Sequence, residues 1–131
     1  MKIALDTNAY SDWRRIGTWN DKISQATQVA MPVMVLGELR AGFLQGKHGG
    51  KNQAALLEFL AEPLVNVLNT TERTSQIYAE FRHSLKSRGT PIPENDIWIA
   101  ALVHEHGLSL CTSDAHFSNL PQIARIGNPG F

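Results

Sequence analysis

Four short apolar runs, Lys2–Leu5, Val29–Met31, Leu64–Leu68 and Leu108–Thr112, punctuate a 131-residue chain, and the stretches between them place apolar residues at helical spacing. Runs of three to five residues are too short for helices and read as buried strands. A strand followed by a helix returns to the sheet beside its predecessor in the same direction, so the alternation specifies an α/β domain with a mainly parallel sheet of four to five strands. Ile123–Ile126 supplies the fifth.

The helical segments follow from period and punctuation. Pro32 suits the first turn of a helix from about Val33 to Leu44, and Gly46, Gly49 and Gly50 mark a loop after it. Asn52–Ala61 carries Ala55, Leu56, Phe59 and Leu60 on one side and stops at Pro63. A further helix opens at Thr70-Thr-Glu72 and runs through Ile77, Phe81 and Leu85 to Gly89. Pro91-Ile-Pro93 stiffens a connector to a helix from about Asn95 to His106 that is apolar nearly all round, hence buried, with Gly107 closing it. The segment after Asp6, carrying Trp13, Arg14 and Arg15, is polar and shows no such face.

At this length, with 43% hydrophobic residues, residues 1–131 make one domain around one core. The lone Cys111 has no partner for a disulfide and sits in an apolar run, as a buried thiol does in a reducing compartment. Met1–Leu5 is too short for a secretory leader, and nothing approaches the roughly 20 apolar residues of a membrane span, so a soluble cytoplasmic protein is expected. Twelve basic and twelve acidic residues cancel, which removes the bulk basic excess of many nucleic-acid binders but leaves room for a local arrangement of charge.

The acids are where that arrangement shows. Asp6 follows the first strand, Asp114 follows the fourth, and Asp96 opens the buried helix. Loops beyond the carboxyl ends of neighbouring parallel strands converge, so Asp6 and Asp114 are placed to meet. Glu38 stands among Val35, Leu36, Leu39 and Phe43, where a carboxylate must be paired, confined to a narrow exposed face, or bound to something. Carboxylates gathered together raise one another's proton affinity until a cation neutralises them. Oxygen donors without histidine or thiol at ligand spacing favour Mg²⁺ or Mn²⁺, the equipment of phosphodiester hydrolysis. Each acid also has a plainer role: Asp96 as a helix N-cap, Asp6 and Asp114 as turn residues, Glu38 as a solvated helix residue. Glu58, Glu62, Glu72, Glu80 and Glu105 fit solvated helix faces.

Taken in order, Leu5-Asp6-Thr7-Asn8, Val35-Leu-Gly-Glu38-Leu, Asn95-Asp96-Ile-Trp-Ile-Ala-Ala and Cys111-Thr-Ser-Asp114-Ala-His-Phe resemble the PIN-domain family, and within it the VapC-type toxins. The resemblance implies a three-layer α/β/α fold and Mg²⁺- or Mn²⁺-dependent endonucleolytic cleavage of RNA. It casts Asp6, Glu38, Asp96 and Asp114 as catalytic, metal-holding acids, and Thr7, Asn8, Thr112 and Ser113 as groups orienting them, Asn8 and Thr112 foremost. It further implies a VapB-like antitoxin that projects an arginine into the acidic pocket, and a homodimer. Met31-Pro32 departs from the family pattern, which carries a small polar residue before the Glu-bearing helix.

Candidate contacts to RNA are Arg14 and Arg15 beside Trp13 and Trp19, and Arg82, Lys86 and Arg88 near the connector, while His116, two residues beyond Asp114, is placed to touch substrate or a metal-bound water. Trp98 reads as core, and His104 as a cation at a helix C-terminus. Competing readings are a catalytically silent PIN-like module that binds RNA or protein, and a DNA nuclease of the same superfamily. An aspartyl phosphotransferase fits poorly, because dehalogenase-like enzymes want an aspartate where Asn8 stands, and receiver domains want adjacent acids and a late lysine.

Overall fold

Ile3, Ala4 and Leu5 are completely buried because their strand, β1 (Lys2–Leu5), runs down the middle of the sheet. In the computed structural model, which describes residues 1–127, β1 pairs in parallel with β2 (Gln28–Pro32) on one side and β4 (Ser109–Cys111) on the other. β3 (Val65–Leu68) extends the β2 side and β5 (Ala124–Ile126) the β4 side, giving the parallel order β3-β2-β1-β4-β5. The register sets Ala4 against both Ala30 and Leu110, and Leu5 against Cys111. The chain builds outward from β1 to β3 and then returns to lay β4 on β1's other edge. The gap beyond the carboxyl ends of β1 and β4 is therefore the switch point of the sheet, where such folds place their sites.

Helices flank this sheet: α1 (Thr7–Ile16) and α2 (Asn20–Gln25) between β1 and β2, then α3 (Val33–Gln45) and α4 (Gly49–Leu60) before β3. α5 (Glu72–Ser87) and α6 (Glu94–Glu105) lead to β4, and a 3₁₀ turn (Ala115–Asn119) leads to β5. α6 buries Ile97, Ile99, Ala100, Ala101, Leu102 and Val103, as its all-round apolarity requires. The expected α/β/α layering and parallel sheet are thus present, with all five strands.

Several local expectations are corrected. Pro32 ends β2 rather than entering the helix, pairing with Leu68 at φ −59°, ψ 139° and standing at the N-cap of α3. Gly49 is the first residue of α4 rather than part of a loop, and a Cβ there would lie 2.3 Å from the Phe43 carbonyl oxygen, so close approach explains the glycine. The polar stretch after β1 is a helix because Asp6 caps it, its Oδ1 accepting the Ala9 N–H at 2.8 Å, while Ala9 and Tyr10 turn into the core. Trp19, expected at the surface, is 1% exposed and has a left-handed backbone, φ 76°. Trp98, expected in the core, is half-buried and stacked on Tyr78 with centroids 3.9 Å apart. Glu105, expected in solvent, turns inward to accept the hydroxyl of fully buried Thr74 at 2.6 Å, tying α6 to α5. No helix among the described residues is long and apolar enough to cross a membrane.

Candidate active site

Four separate elements deliver the four acids to one cleft. Asp6 arrives at the end of β1, Glu38 from the second turn of α3, Asp96 from the first turn of α6 and Asp114 from the residues after β4. The cleft has a volume of about 510 Å³ and is lined by all four, with Thr7, Asn8, Pro93, Glu94, Asn95, Ile99 and His116. Among the described residues, no lysine or arginine lines it.

Asp6 is the most enclosed of the four, 5% exposed. Its Oδ1 caps α1, and its Oδ2 accepts a hydrogen bond from the Thr112 hydroxyl. Thr112 Oγ1 in turn accepts the Asp114 N–H at 2.9 Å, which commits the hydroxyl proton to Asp6 and couples the loop after β4 to the end of β1. Burial drives the Asp6 pKa upward, the Thr112 and Ala9 donors oppose it, and Asp114 and Glu38 add to the rise. Cys111, on the neighbouring strand, is buried and pushed up to about 12, an inert thiol.

Asp96 is raised to about 6, first by loss of water, then by Asp114, with smaller contributions from Glu38 and Asp6 and partial relief from His116. It is not the N-cap of its helix. Pro93 holds that place, and Asp96 is the third helical residue, with its side chain among the cleft's lining groups. Asp114 does cap the 3₁₀ turn, its Oδ1 accepting the His116 N–H at 2.9 Å, so its turn role and its place in the cleft coexist. Glu38 lies at an exposed edge, where its Oε1 accepts the Thr7 hydroxyl at 2.8 Å.

His116 is more central than its sequence context suggests. Its Nδ1 lies 2.9 Å from Asp114 Oδ1 and 3.5 Å from Asp96 Oδ2, and donor atoms from these three residues fall within 4.8 Å of one another. The site therefore includes an imidazole nitrogen beside its oxygens, which the spacing in the sequence did not reveal. Of the four expected orienting residues, Thr112 and Thr7 each bond a carboxylate, Asn8 lines the cleft, and Ser113 is exposed and outside it. Glu94 and Asn95 line the cleft although no sequence signal singled them out. Their place one turn or less from Asp96 was the available clue.

The five cations expected near RNA all lie outside the acidic cleft. Arg14 stacks over Trp13, 4.8 Å from its ring centroid, and donates to the Ala55 carbonyl. Arg15 pairs with Asp12 at 3.0 Å. Arg88 donates to the Asn119 carbonyl, bracing the turn that carries His116. Arg82 pairs with Glu94 at 3.1 Å, and Lys86 borders a separate pocket on the other side of Glu94.

Comparison with known proteins accords with this geometry. The PIN-domain family model matches residues 3–123. Ribonuclease VapC4 of Mycobacterium tuberculosis is 30% identical over 94 residues, 72% of each chain. Among solved structures, FitAcB from Neisseria gonorrhoeae is similar over 95% of this chain and 96% of that one, with TM-score 0.77 and 29% identity. VapBC2 from Rickettsia felis, bound to a DNA fragment from its promoter, shares the fold over 98% of this chain and 99% of that one, with TM-score 0.87 and 22% identity. A parallel sheet with its acids gathered at the switch point, a family match across nearly the whole chain and a relative of this identity and coverage lead to one assignment: the chain belongs to the PIN-domain family.

Proposed function

We propose that this protein is the endoribonuclease toxin of a VapBC-type toxin–antitoxin pair, hydrolysing RNA phosphodiester bonds at the cleft of Asp6, Glu38, Asp96 and Asp114. The observation that carries the reading is the convergence of these four acids, from four elements, on a cleft that no lysine or arginine among the described residues lines. A purely binding surface for phosphates would be better served without them. The ribonuclease name of the Mycobacterium tuberculosis relative supplies the substrate class.

The donor set suits a hard divalent cation. Asp6, Asp96 and Asp114, with Glu38 at the edge, offer carboxylate oxygens, and the rise of Asp96 to about 6 comes first from lost hydration and then from like-charge crowding, both of which a cation offsets. Mg²⁺ or Mn²⁺ is the ion we assign, and when bound it would supply positive charge against the attacked phosphate and lower the pKa of a bound water. The chain's own residues do the positioning. Thr112 fixes Asp6 and the loop of Asp114 together, and Thr7 holds Glu38 by Oε1. Glu38 Oε2, which accepts no hydrogen bond among the described residues, is the atom we assign to take the proton from the attacking water. An antitoxin of the VapB type would silence the cleft by inserting a guanidinium among these carboxylates.

Induction of the chain alone in a bacterial host tests this reading. The expected result is growth arrest with cleaved RNA, rescued by co-expression of the antitoxin and absent for Asp96→Asn at equal soluble level. Arrest by Asp96→Asn, or wild-type induction with intact RNA and unimpeded growth, would contradict it.

A further inference from the structure

We infer that the pocket between α5 and residues 91–97 is a binding subsite for the single-stranded RNA entering the acidic cleft, an inference that rests on the ribonuclease reading above. The pocket has a volume of about 330 Å³, the size of a small-ligand site, and Glu94 belongs to both it and the cleft, so the two are contiguous. Its floor is apolar, built from Leu85, Ile92 and Ile97, each at most 8% exposed. Its rim carries Arg82 and Lys86, one helical turn apart and therefore on the same face of α5.

An apolar floor under a rim of two cations and one carboxylate, Glu94, that is already paired with Arg82 leaves net positive charge and fits a nucleotide, with the base on the floor and the phosphate against Arg82 and Lys86. The acidic side chains of the cleft next door repel a polyanion, so beyond the single phosphate that a bound cation can meet, strand affinity calls for cations just outside it. Arg82 is held ready for this task. Its Nε donates to Glu94 Oε1, while Glu94 Oε2 accepts the Tyr78 hydroxyl, and the Tyr78 ring is stacked on Trp98. That bracket fixes one edge of the guanidinium and leaves the side chain 53% exposed. Lys86 makes no ion pair among the described residues, so its charge is available. Arg14, Arg15 and Arg88 are engaged elsewhere with Trp13, Asp12 and the Asn119 carbonyl.

The test is fluorescence anisotropy of a short labelled single-stranded RNA across a salt series with Mg²⁺, in the cleavage-blocked Asp96→Asn background. Adding Arg82→Ala and Lys86→Ala together is expected to flatten the slope of log Kd against log salt by about 1.4, two phosphates at about 0.7 each for single strands, with roughly tenfold weaker binding at low salt. Lys86→Ala alone, which disturbs no pair, should flatten it by about 0.7. Lys2→Ala, at the amino end of β1 and so at the far end of the sheet from the cleft, should change neither. Folded variants of Arg82 and Lys86 with an unaltered slope would overturn the subsite while leaving the ribonuclease reading standing. An equal loss from Lys2→Ala would also overturn it, showing diffuse attraction in place of a site. Failure of both the Asp96→Asn parent and wild type held in EDTA or Ca²⁺ to bind any RNA would overturn both.

Discussion

Replacing Asp96 with asparagine should make the metal-free protein more stable, and the size of the gain can be worked from its surroundings. Asp96 moves from an ordinary 3.8 to about 6 on folding, because burial and the neighbouring carboxylates disfavour its charged form. Well below pH 3.8 it is protonated in both states and contributes nothing. Between pH 4 and 6 the unfolded chain releases the proton and the folded chain keeps it, so stability falls as pH rises, and above 6 the full penalty remains. A shift of about two units at 1.36 kcal/mol each amounts to at most about 3 kcal/mol, and water at the open side of the cleft reduces that to about 1–2 kcal/mol. Asparagine keeps the shape without the charge. Urea unfolding in EDTA should therefore place Asp96→Asn about 1–2 kcal/mol above wild type at pH 7.5, with most of that advantage lost at pH 4. Mg²⁺ or Mn²⁺ should then stabilise wild type and narrow or reverse the gap. A variant less stable than wild type in EDTA, or an advantage independent of pH, would refute the reasoning.

Three further outcomes follow from the same geometry. Thr112→Val removes the hydroxyl shared by Asp6 and the Asp114 N–H and should weaken Mn²⁺ affinity about 10–100-fold, measured by calorimetry. His116→Ala removes the imidazole that, among the described residues, lowers the Asp96 pKa, so in metal-free protein Asp96 should titrate above about 6, observed by carboxyl NMR. Glu105→Ala removes the charged acceptor of the buried Thr74 hydroxyl, leaving it only Thr71 Oγ1 at 3.3 Å, and should cost about 1 kcal/mol in urea unfolding, with cleavage by the folded fraction unchanged.

How much was legible in the sequence depended on whether a residue's role was local. β1 ending at Asp6, and α6 apolar on every side, announce themselves because strand length and helical period are local properties. The meeting of Asp6 with Asp114 was legible too, since parallel topology forces neighbouring strand ends together. α1 was missed because its buried face is small and its cap is Asp6, one carboxylate serving both a helix and a cleft. Glu105 and Trp98 were misplaced for a different reason. Their surroundings come from α5, through Thr74 and Tyr78, residues far away in sequence. The same holds for His116, whose Nδ1 contact with Asp96 depends on how the 3₁₀ turn lies against α6. Arg88 reads as a free cation until the fold brings the Asn119 carbonyl to it.

The central claim, that the four acids make a metal-dependent ribonuclease, is tested most directly by incubating purified, antitoxin-free protein with total cellular RNA and Mg²⁺ or Mn²⁺, beside an EDTA control and folded Asp96→Asn. The account predicts discrete cuts in the metal lanes, none with EDTA and none with Asp96→Asn. Intact RNA in every lane with well-folded, metal-supplied wild-type protein, or equal cutting by Asp96→Asn, would contradict it.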